Sequence, residues 1–428
     1  MTVIPSTLRP RLENCPQRCR LASSASSAFS FVITPPEMSW NSTPDPHGEQ
    51  QNQLLGGTFP TTMRSMRRPP IRVLDLAGSP EHMGATHGAT YADEIRQYTD
   101  ERVSLVMEGL WSGGPMAEAD VLDLAASMLP AHEAHSPALF AEMCAMADAA
   151  GITPAQAVIV GGFTDFVDTV RAVVGGAHPD TVMEDDCTSV IVPDHRADGA
   201  GFFAQTWDMH DSATEHVVLL RTDPTDAPAA LVFTTTGALG QIGMNELGVC
   251  VGINNLTATD GTPGVTWTQV VRHALEQDSA AAARDAILDA DLAGGHNFLV
   301  FDAEGDGYNI EAMPTARPVT TLDRDAVAHT NHTLAPETTA VQGPRADALQ
   351  DSSVRRLDTA RQWLDRDGIT ADDLMALTRE PDAVCQTAVE PYHVESSGAT
   401  VMRPRTKEFW AVWGLPSMNE YQKVSFAR

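Results

Sequence analysis

Hydrophobic residues along the chain first follow a strand pattern and then a helical one. Residues 71–78 predict a β-strand, and residues 80–109 then carry apolar side chains at helical spacing. Two further helical stretches cover residues 117–129 and 137–150, and another helix begins at Ala155 after Thr153 and Pro154. The first part of the folded chain is therefore predicted to be mostly helical.

After Val182 the pattern changes to short apolar runs of strand length, separated by turn residues. Two helical insertions interrupt these runs, namely Trp267–Ala290 and Ser352–Leu364 with its continuation to Thr378. The predicted strands cover residues 187–193, 201–207, 216–222, 229–235, 247–253, 297–302, 308–312, 326–330, 399–402 and 409–412. This segregation of helices from about ten strands predicts an α+β protein built in layers.

Residues 1–69 differ from the rest of the chain in composition. They are rich in Ser, Pro, Gln and Gly and show neither helical nor strand periodicity. We predict either disorder or a misassigned upstream extension, since Met38, Met63 and Met66 are alternative starts. The folded part then consists of a helical segment, 70–186, and a strand-rich segment, 187–428, which together form one domain.

The charge balance narrows the choice of partners. The chain carries 28 Lys and Arg against 57 Asp and Glu, a formal net charge of -29. Such a field repels phosphate backbones and anionic membrane surfaces, so neither nucleic acid nor a membrane is expected as a partner. No apolar run reaches the roughly 18–20 residues that span a bilayer. Six cysteines are too few for a disulfide-dense secreted fold, and the predicted location is the cytoplasm.

One polar segment ends on a cysteine that begins an apolar strand. Asp185 and Asp186 precede Cys187, and the apolar run continues to Val192. A cysteine in this position is most often a small buried hydrophobe. A turn follows, and a hairpin centred between Ala197 and the next residue would place Cys187 opposite Asp208. A thiol and a carboxylate would then meet at one end of the hairpin.

Further polar motifs follow along the chain in a fixed order. After the cysteine segment and the sequence TWDMH come GMNELGVCVGINN (243–255), HTNH (329–332) and SSVRRL (352–357). Over roughly residues 70–428 this combination resembles the cysteine N-terminal-nucleophile (Ntn) hydrolases. It is most similar to the penicillin acyltransferase family, acyl-coenzyme A:6-aminopenicillanate acyltransferase, and more distantly to the conjugated bile acid hydrolases.

The resemblance implies a fold and a set of site residues. The fold would be a four-layer αββα sandwich with two stacked, mainly antiparallel sheets. Cys187 would be the nucleophile, Asp208 the carboxylate near a new N-terminus, and Asn254 and Asn331 the polar residues of an oxyanion hole. Arg356 would be the arginine that orients the carboxylate and the nucleophile, with Arg355 as its competitor.

The resemblance also implies self-cleavage between Asp186 and Cys187. A cysteine thiol is mostly protonated at neutral pH and needs a base or a positive charge beside it. In this class the α-amino group of the nucleophile is that base, because it titrates near pH 8. Cys187 must therefore become the first residue of a chain, with the two segments staying associated.

Two features of the chain depart from the pattern of the relatives. Asp185 and Asp186 stand where the penicillin acyltransferase has Gly before its cysteine, and these carboxylates either assist proton transfer or slow cleavage. Gln205 occupies the place where bile acid hydrolases carry an arginine, which argues against steroid conjugates as substrates.

The predicted function is a zymogen that becomes an autoproteolytic amide hydrolase or acyltransferase. A small-molecule amide or an acyl-coenzyme A would acylate Cys187, and water or an amine would resolve the thioester. No metal or organic cofactor is expected. The alternatives are a dedicated hydrolase of N-acyl amino acids or related linear amides, and an inactive scaffold or binding protein of the same fold. The oligomeric state stays open.

Overall fold

The structure is a computed structural model that describes residues 68–174, 186–381 and 383–426. The predicted N-terminal extension falls almost entirely outside these residues, and so does Asp185. The helices are α1 (Pro80–Thr90), α2 (Ala92–Glu108), α3 (Glu118–His135), α4 (Pro137–Ala150), α5 (Pro154–Gly161), α6 (Phe163–Val174), α7 (Trp267–Ala274), α8 (Ala280–Leu288), α9 (Pro336–Thr339), α10 (Asp347–Leu364) and α11 (Ala371–Thr378).

The larger of two sheets has eight strands in the order β1-β4-β5-β6-β7-β8-β9-β10. Its strands are β1 (Val73–Gly78), β4 (Val217–Pro224), β5 (Ala230–Thr235), β6 (Ile242–Asn245), β7 (Cys250–Asn255), β8 (His296–Phe301), β9 (Gly307–Ala312) and β10 (Val319–Thr321). Only the pairing of β1 with β4 is parallel among these ladders, so the sheet is mainly antiparallel, as predicted.

The second sheet has six strands in the order β11-β2-β3-β12-β13-β14, all antiparallel. Its strands are β2 (Asp186–Val192), β3 (Phe202–His210), β11 (Val327–His329), β12 (Val394–Arg403), β13 (Glu408–Trp413) and β14 (Gln422–Val424). All seven residues of β2 are buried, because the strand is covered on both faces.

Three apolar cores separate four layers. One core joins α7 and α8 to the outer face of the eight-stranded sheet, through residues such as Val271 and Val300. A second lies between the sheets and includes Phe203 and Leu299, and a third joins α10 and α11 to the outer face of the six-stranded sheet. Each sheet thus buries one face on helices and the other on its neighbour. The predicted four-layer αββα architecture is confirmed.

The helices α1–α6 pack together before the second sheet begins, and small residues let two of them approach closely. A Cβ atom added to Gly84 of α1 would lie 2.0 Å from the carbonyl oxygen of Glu142 in α4. One added to Gly88 would lie 2.2 Å from the carbonyl oxygen of Met146. Since real Cβ atoms are not found so close to a backbone oxygen, glycine permits this crossing. Buried residues of α2–α6 belong to the same core as the inner faces of the sheets.

The structure contains three strands that the sequence pattern did not indicate. It also divides three predicted helical stretches into two helices each, namely 80–109, Trp267–Ala290 and the stretch from Ser352 to Thr378. The missed strands are β6, β10 and β14, which have only three or four residues each, too few for a clear alternation. The predicted helix Trp267–Ala290 is two helices, α7 and α8, because Ser279 caps a new start by accepting a hydrogen bond from the backbone N–H of Ala282.

No single helix among the described residues is both long enough and apolar enough to cross a bilayer. Helices α4 and α5 pass that test only as a pair, with a bend of 105° between them.

Candidate active site

The hairpin that presents Cys187 has a register one residue away from the predicted one. Cys187 pairs with Trp207, and Asp186, not Cys187, pairs with Asp208. The predicted tight turn is a longer connection that contains a 3-10 helix at Asp194–Arg196, and this changes the alignment by one. Because directly opposed residues share a face, the Cys187 side chain lies on the inner face beside Trp207. Asp208 lies with Asp186 on the face towards α10.

The backbone N–H of Cys187 donates to Oδ1 of Asn331 at 2.6 Å. Asn331 follows β11, the strand that pairs with β2, so the topology brings it to the start of β2. Its own orientation is fixed, because its backbone N–H donates to Ser353 Oγ at 2.9 Å and its Nδ2 donates to the Asn255 carbonyl at 3.2 Å. The predicted site residue Asn331 thus contacts the backbone of Cys187 directly.

Asn254 on β7 reaches Cys187 from the other sheet. Its Nδ2 donates to the Cys187 carbonyl at 3.1 Å and to the His329 carbonyl at 3.3 Å. Its Oδ1 accepts a hydrogen bond from Ser189 Oγ at 2.5 Å, which fixes which end of the amide faces Cys187. Both N–H groups of this amide therefore already donate to backbone carbonyls. To stabilise an oxyanion, Asn254 would have to break one of these two hydrogen bonds and donate to the oxyanion instead.

Arg356 is fully buried on α10 and connects the other groups. Its Nη1 donates to the Cys187 carbonyl at 2.5 Å, and its Nη2 donates to Asn331 Oδ1 at 3.1 Å. The competing Arg355 is exposed, since successive residues of a helix point in different directions. The geometry therefore favours Arg356 for the predicted arginine position.

Asp186, the residue before Cys187, is held by a set of side chains that the sequence did not bring together. Its Oδ1 lies 2.9 Å from Arg356 Nη2 and 3.1 Å from Arg345 Nη2, and its Oδ2 accepts from Ser352 Oγ at 3.0 Å. All four side chains are buried or nearly so. Ser352 stood in the SSVRRL motif one helical turn before Arg356, and that spacing was the available signal. Nothing in the sequence indicated Arg345.

Asp208 is buried on β3 next to this ionic cluster. Its carboxylate accepts from Ser396 Oγ at 2.6 Å and from Thr206 Oγ1 at 3.3 Å. Burial raises the pKa of Asp208 well above its usual range, although the positive charge of Arg356 opposes the shift. A cation close to this carboxyl group would favour its ionised form.

His332, in the HTNH motif, lies beside the cluster but is a weak base. Its Nδ1 is 2.7 Å from Ser353 Oγ. Burial, followed by the charges of His329, Arg345 and Arg356, lowers the pKa of His332 to about 4. An imidazole with so low a pKa takes a proton from a thiol poorly at neutral pH.

Gln205 ties the two sheets together just before Asn254. Its side-chain amide donates to the carbonyl of Ile253, and the Ile253 N–H donates back to Gln205 Oε1 at 3.0 Å. A Cβ on Gly252 would lie 2.1 Å from that Oε1, so only glycine leaves room for the link. The Gln205 amide therefore binds the backbone of β7 and fixes the position of that strand.

The structure thus brings Cys187, Asn254, Asn331 and Arg356 into one hydrogen-bonded cluster, with Asp208 adjacent to it. Three side chains from three separate elements contact the backbone of a single cysteine. Among the described residues no group of three or more His, Cys, Asp or Glu side chains could hold a metal ion. The arrangement suits chemistry that a thiol performs on a carbonyl carbon.

Comparison with known proteins also finds similarity to enzymes that transfer acyl groups. Residues 195–414 match the family described as acyl-coenzyme A:6-aminopenicillanic acid acyl-transferase. A relative from Emericella nidulans, the 40 kDa form of acyl-coenzyme A:6-aminopenicillanic-acid-acyltransferase, is 23% identical over 259 residues. That alignment covers 60% of this chain and 68% of the relative.

Solved structures are more distant. A Caenorhabditis elegans ortholog of N-acylethanolamine-hydrolyzing acid amidase is 14% identical with a TM-score of 0.37, covering 51% of this chain and 93% of that one. Conjugated bile acid hydrolase from Clostridium perfringens is 11% identical with a TM-score of 0.39, covering 56% and 97%. The family match includes more than half of the chain, and it contains Asp208, Asn254, Asn331 and Arg356. This protein belongs to the acyl-coenzyme A:6-aminopenicillanic acid acyl-transferase family.

Proposed function

We propose that the protein is a self-processing cysteine enzyme that cleaves or transfers acyl groups at amide or thioester bonds through a thioester on Cys187. The observation that carries this proposal is that three polar side chains contact the backbone of one cysteine. Asn331 holds its N–H, while Asn254 and Arg356 hold its carbonyl. A cysteine that only filled space in a strand would use ordinary ladder partners, not three polar side chains from other elements.

The first step is self-cleavage. The Cys187 thiol adds to the Asp186 carbonyl carbon, the C–N bond breaks, and the proton lost by sulfur goes to the new α-amine. Water then hydrolyses the resulting thioester, leaving a carboxyl group on Asp186 and both amine and thiol on Cys187. The contacts of the Asp186 side chain with Arg345, Arg356 and Ser352 support this step, because they fix the residue whose carbonyl is attacked.

Turnover repeats this chemistry on a substrate. The α-amine takes the thiol proton, sulfur attacks the substrate carbonyl, and the amine or thiol leaving group departs with that proton. Water or an amine acceptor then attacks the Cys187 thioester. The Emericella nidulans relative, named for transfer between acyl-coenzyme A and 6-aminopenicillanic acid, supports a small-molecule donor of this kind.

The test begins with the intact mass of the purified protein. We expect two fragments of roughly 20 and 26 kDa, the shares of 45.9 kDa before and after residue 187, with Cys187 at the start of the larger one. Brief mixing with an acyl amide or acyl thioester should then add the acyl mass to the larger fragment. A homogeneous uncut chain that no substrate acylates would contradict the proposal and favour an inactive scaffold.

Product analysis decides between transfer and hydrolysis. With an amine acceptor present, a transferase gives acceptor-dependent product while the rate of acyl-enzyme formation stays unchanged. A dedicated hydrolase of N-acyl amino acids or related amides gives only the free acid at every acceptor concentration.

Replacing Asn254 with alanine should lower kcat on the order of 10²-fold while the chain still folds, because one preorganised amide donor is lost. Asn245→Ala is the matched control. Asn245 is equally buried on the neighbouring strand, but its amide serves the Leu247 and Val249 N–H groups and the carbonyls of Leu275 and Gln277. The control should lose thermal stability and keep kcat per folded molecule. Equal kcat in the two variants would exclude a catalytic role for Asn254.

A further inference from the structure

The residue before Cys187 is held by its side chain, and the groups that hold it come from one short stretch of the chain. Arg345 lies just before α10, and Ser352 and Arg356 lie one turn apart within that helix. The two arginines contact Oδ1 of Asp186, at 3.1 and 2.9 Å, and Ser352 Oγ donates to Oδ2 at 3.0 Å. Because both oxygens are held, the carboxylate has one defined orientation.

Burial makes this hold on Asp186 effective. The side chains of Asp186 and Arg345 are 2% and 1% exposed, so water does not replace either partner. A buried carboxylate is strongly destabilised when it loses its partners, which keeps its oxygens where the arginines reach them. An aspartate side chain has only two rotatable bonds, so a fixed carboxylate also restricts the backbone of its own residue. That backbone carries the carbonyl carbon that Cys187 attacks in the proposed cleavage.

The contacts of these residues differ in what the proposed cut would do to them. Arg356 also donates to the Cys187 carbonyl and to Asn331 Oδ1, and these contacts lie within the fragment that would begin at Cys187. The contacts of Arg345 and Ser352 with Asp186 would instead join the two fragments. A substrate carbonyl has to take the place that the Asp186 carbonyl holds before the cut. The contacts with Asp186 therefore cannot position anything during turnover.

We propose that Arg345 and Ser352 form a processing site, which positions the Asp186 carbonyl for self-cleavage through the Asp186 carboxylate and takes no part in turnover. Both are positioning residues, since they act on the reacting carbonyl through another side chain. Asp186 then assists cleavage and does not slow it. This inference rests on the proposed function, because it requires that the chain cuts itself before Cys187.

The charge of the cluster is consistent with a role that ends at the cut. Burial is the main cause of the raised pKa of Asp208; the charge of Arg356 lowers that pKa, and the negative charge of Asp186 raises it. When Asp186 leaves, the ionised form of Asp208 is therefore favoured. Asp208 then supplies a negative charge beside Arg356 in place of the one that Asp186 carried.

The test measures cleavage and turnover separately. Full-length chains made by cell-free translation are sampled over time on a denaturing gel, which gives the half-time of cleavage. The cut fraction is then purified, and two rates are measured per cut molecule: kcat with an acyl amide that the wild-type protein uses, and alkylation of Cys187 by iodoacetamide. We expect Arg345→Met to lengthen the half-time at least about tenfold and to leave both rates within about twofold of the wild-type values. Ser352→Ala should show the same separation with a shorter delay.

Arg361→Met is the matched control, because Arg361 is an exposed arginine on α10, and this variant should be cut at the wild-type rate. Asp186→Ala tests whether the processing site acts through the carboxylate. It should be cut slowly, and adding Arg345→Met should slow it no further, as expected for two residues that act as one unit. If Asp186→Ala does not fold, or Arg345→Met stays entirely uncut, Ser352→Ala still supplies both measurements.

Failure of this inference can be distinguished from failure of the proposed function. Wild-type cleavage rates in both Arg345→Met and Ser352→Ala, or a kcat that falls as far as the cleavage rate, would overturn the processing site. Faster cleavage in Asp186→Ala would do the same, because the carboxylate would then hinder the cut. In each of these outcomes the wild-type chain is still cut before Cys187, so the proposed function stands. A folded wild-type chain that is never cut would contradict the proposed function itself, and the processing site with it.

Discussion

Cys187→Ala is expected to leave a single uncut chain of 45.9 kDa with no measurable turnover. The variant removes the only atom of residue 187 that can attack the Asp186 carbonyl, so neither the cut nor the acyl-enzyme can form. Since the surrounding hydrogen bonds use the backbone of residue 187, the cluster around it should persist. Intact mass spectrometry and a turnover assay on the same preparation measure both losses.

Cys250→Ala is the matched control for this prediction. Cys250 is also fully buried, at the start of β7, and burial raises the pKa of its thiol well above the usual range. The control should give both fragments and near-normal turnover. Cys187→Ser should be cut slowly, because a hydroxyl is a weaker nucleophile than a thiol. If the Cys187→Ala chain were cut at the same bond and kept its turnover, Cys187 would be only a packing residue.

The layered architecture was accessible from the sequence because long, covered strands carry strong signals. β2, β5 and β8 are apolar runs buried on both faces, and each was predicted nearly at its observed bounds. β10 is exposed at all three of its residues, so no buried face imposes a pattern on it. Its place in the sheet is set by pairing with β9, which is a non-local contact.

The register of the first hairpin shows a different limit. The predicted pairing assumed a tight turn, whereas the connection includes a 3-10 helix and a side-chain bond from the Gly201 N–H to Asp194 Oδ1 at 2.7 Å. A register change of one residue gives every residue of the strand a different residue opposite it in the ladder. It matters here, because it places Asp208 opposite Asp186 and leaves Trp207 opposite Cys187.

The five predicted site residues came from motifs in the family order, not from spacing alone. Cys187 and Arg356 are far apart in sequence, and only the packing of α10 on the six-stranded sheet brings them together. Arg345 carried no local signal, because an isolated arginine is usually exposed. Its burial is decided by tertiary packing, which a single sequence does not reveal.

Asp208→Asn should block self-cleavage and lower turnover of any cut enzyme by roughly 10²–10⁴-fold, the usual range for loss of a proton-transfer partner. Asp208 lies opposite Asp186, one ladder position from the amine that the proposed cleavage would create at Cys187. The asparagine keeps the shape and can still accept from Ser396, but it carries no charge to hold an ammonium group. Cleavage half-time, kcat and the pH profile of the cut fraction measure the effect.

The same substitution should not weaken the fold, and its pH dependence has a defined sign. Burial raises the pKa of Asp208 in the folded chain, so its ionisation opposes folding. The contribution of Asp208 to stability is then most favourable below about pH 4, where the unfolded carboxyl is also protonated, and it decreases as the pH rises towards the folded-state pKa. In the uncut Cys187→Ala background, Asp208→Asn should therefore raise the melting temperature at neutral pH and change it little at acid pH.

Asp302→Asn separates this role from the general effect of removing a buried carboxylate. Asp302 accepts backbone N–H groups from Ala280, Glu304 and Gly305, in a turn of the other sheet. Its replacement should cost stability and leave cleavage intact, the reverse of the Asp208 result. Normal cleavage and an unchanged pH profile in Asp208→Asn would mean that the Cys187 amine finds its counter-charge elsewhere. The buried hydrogen bonds of Asp208 would then be purely structural.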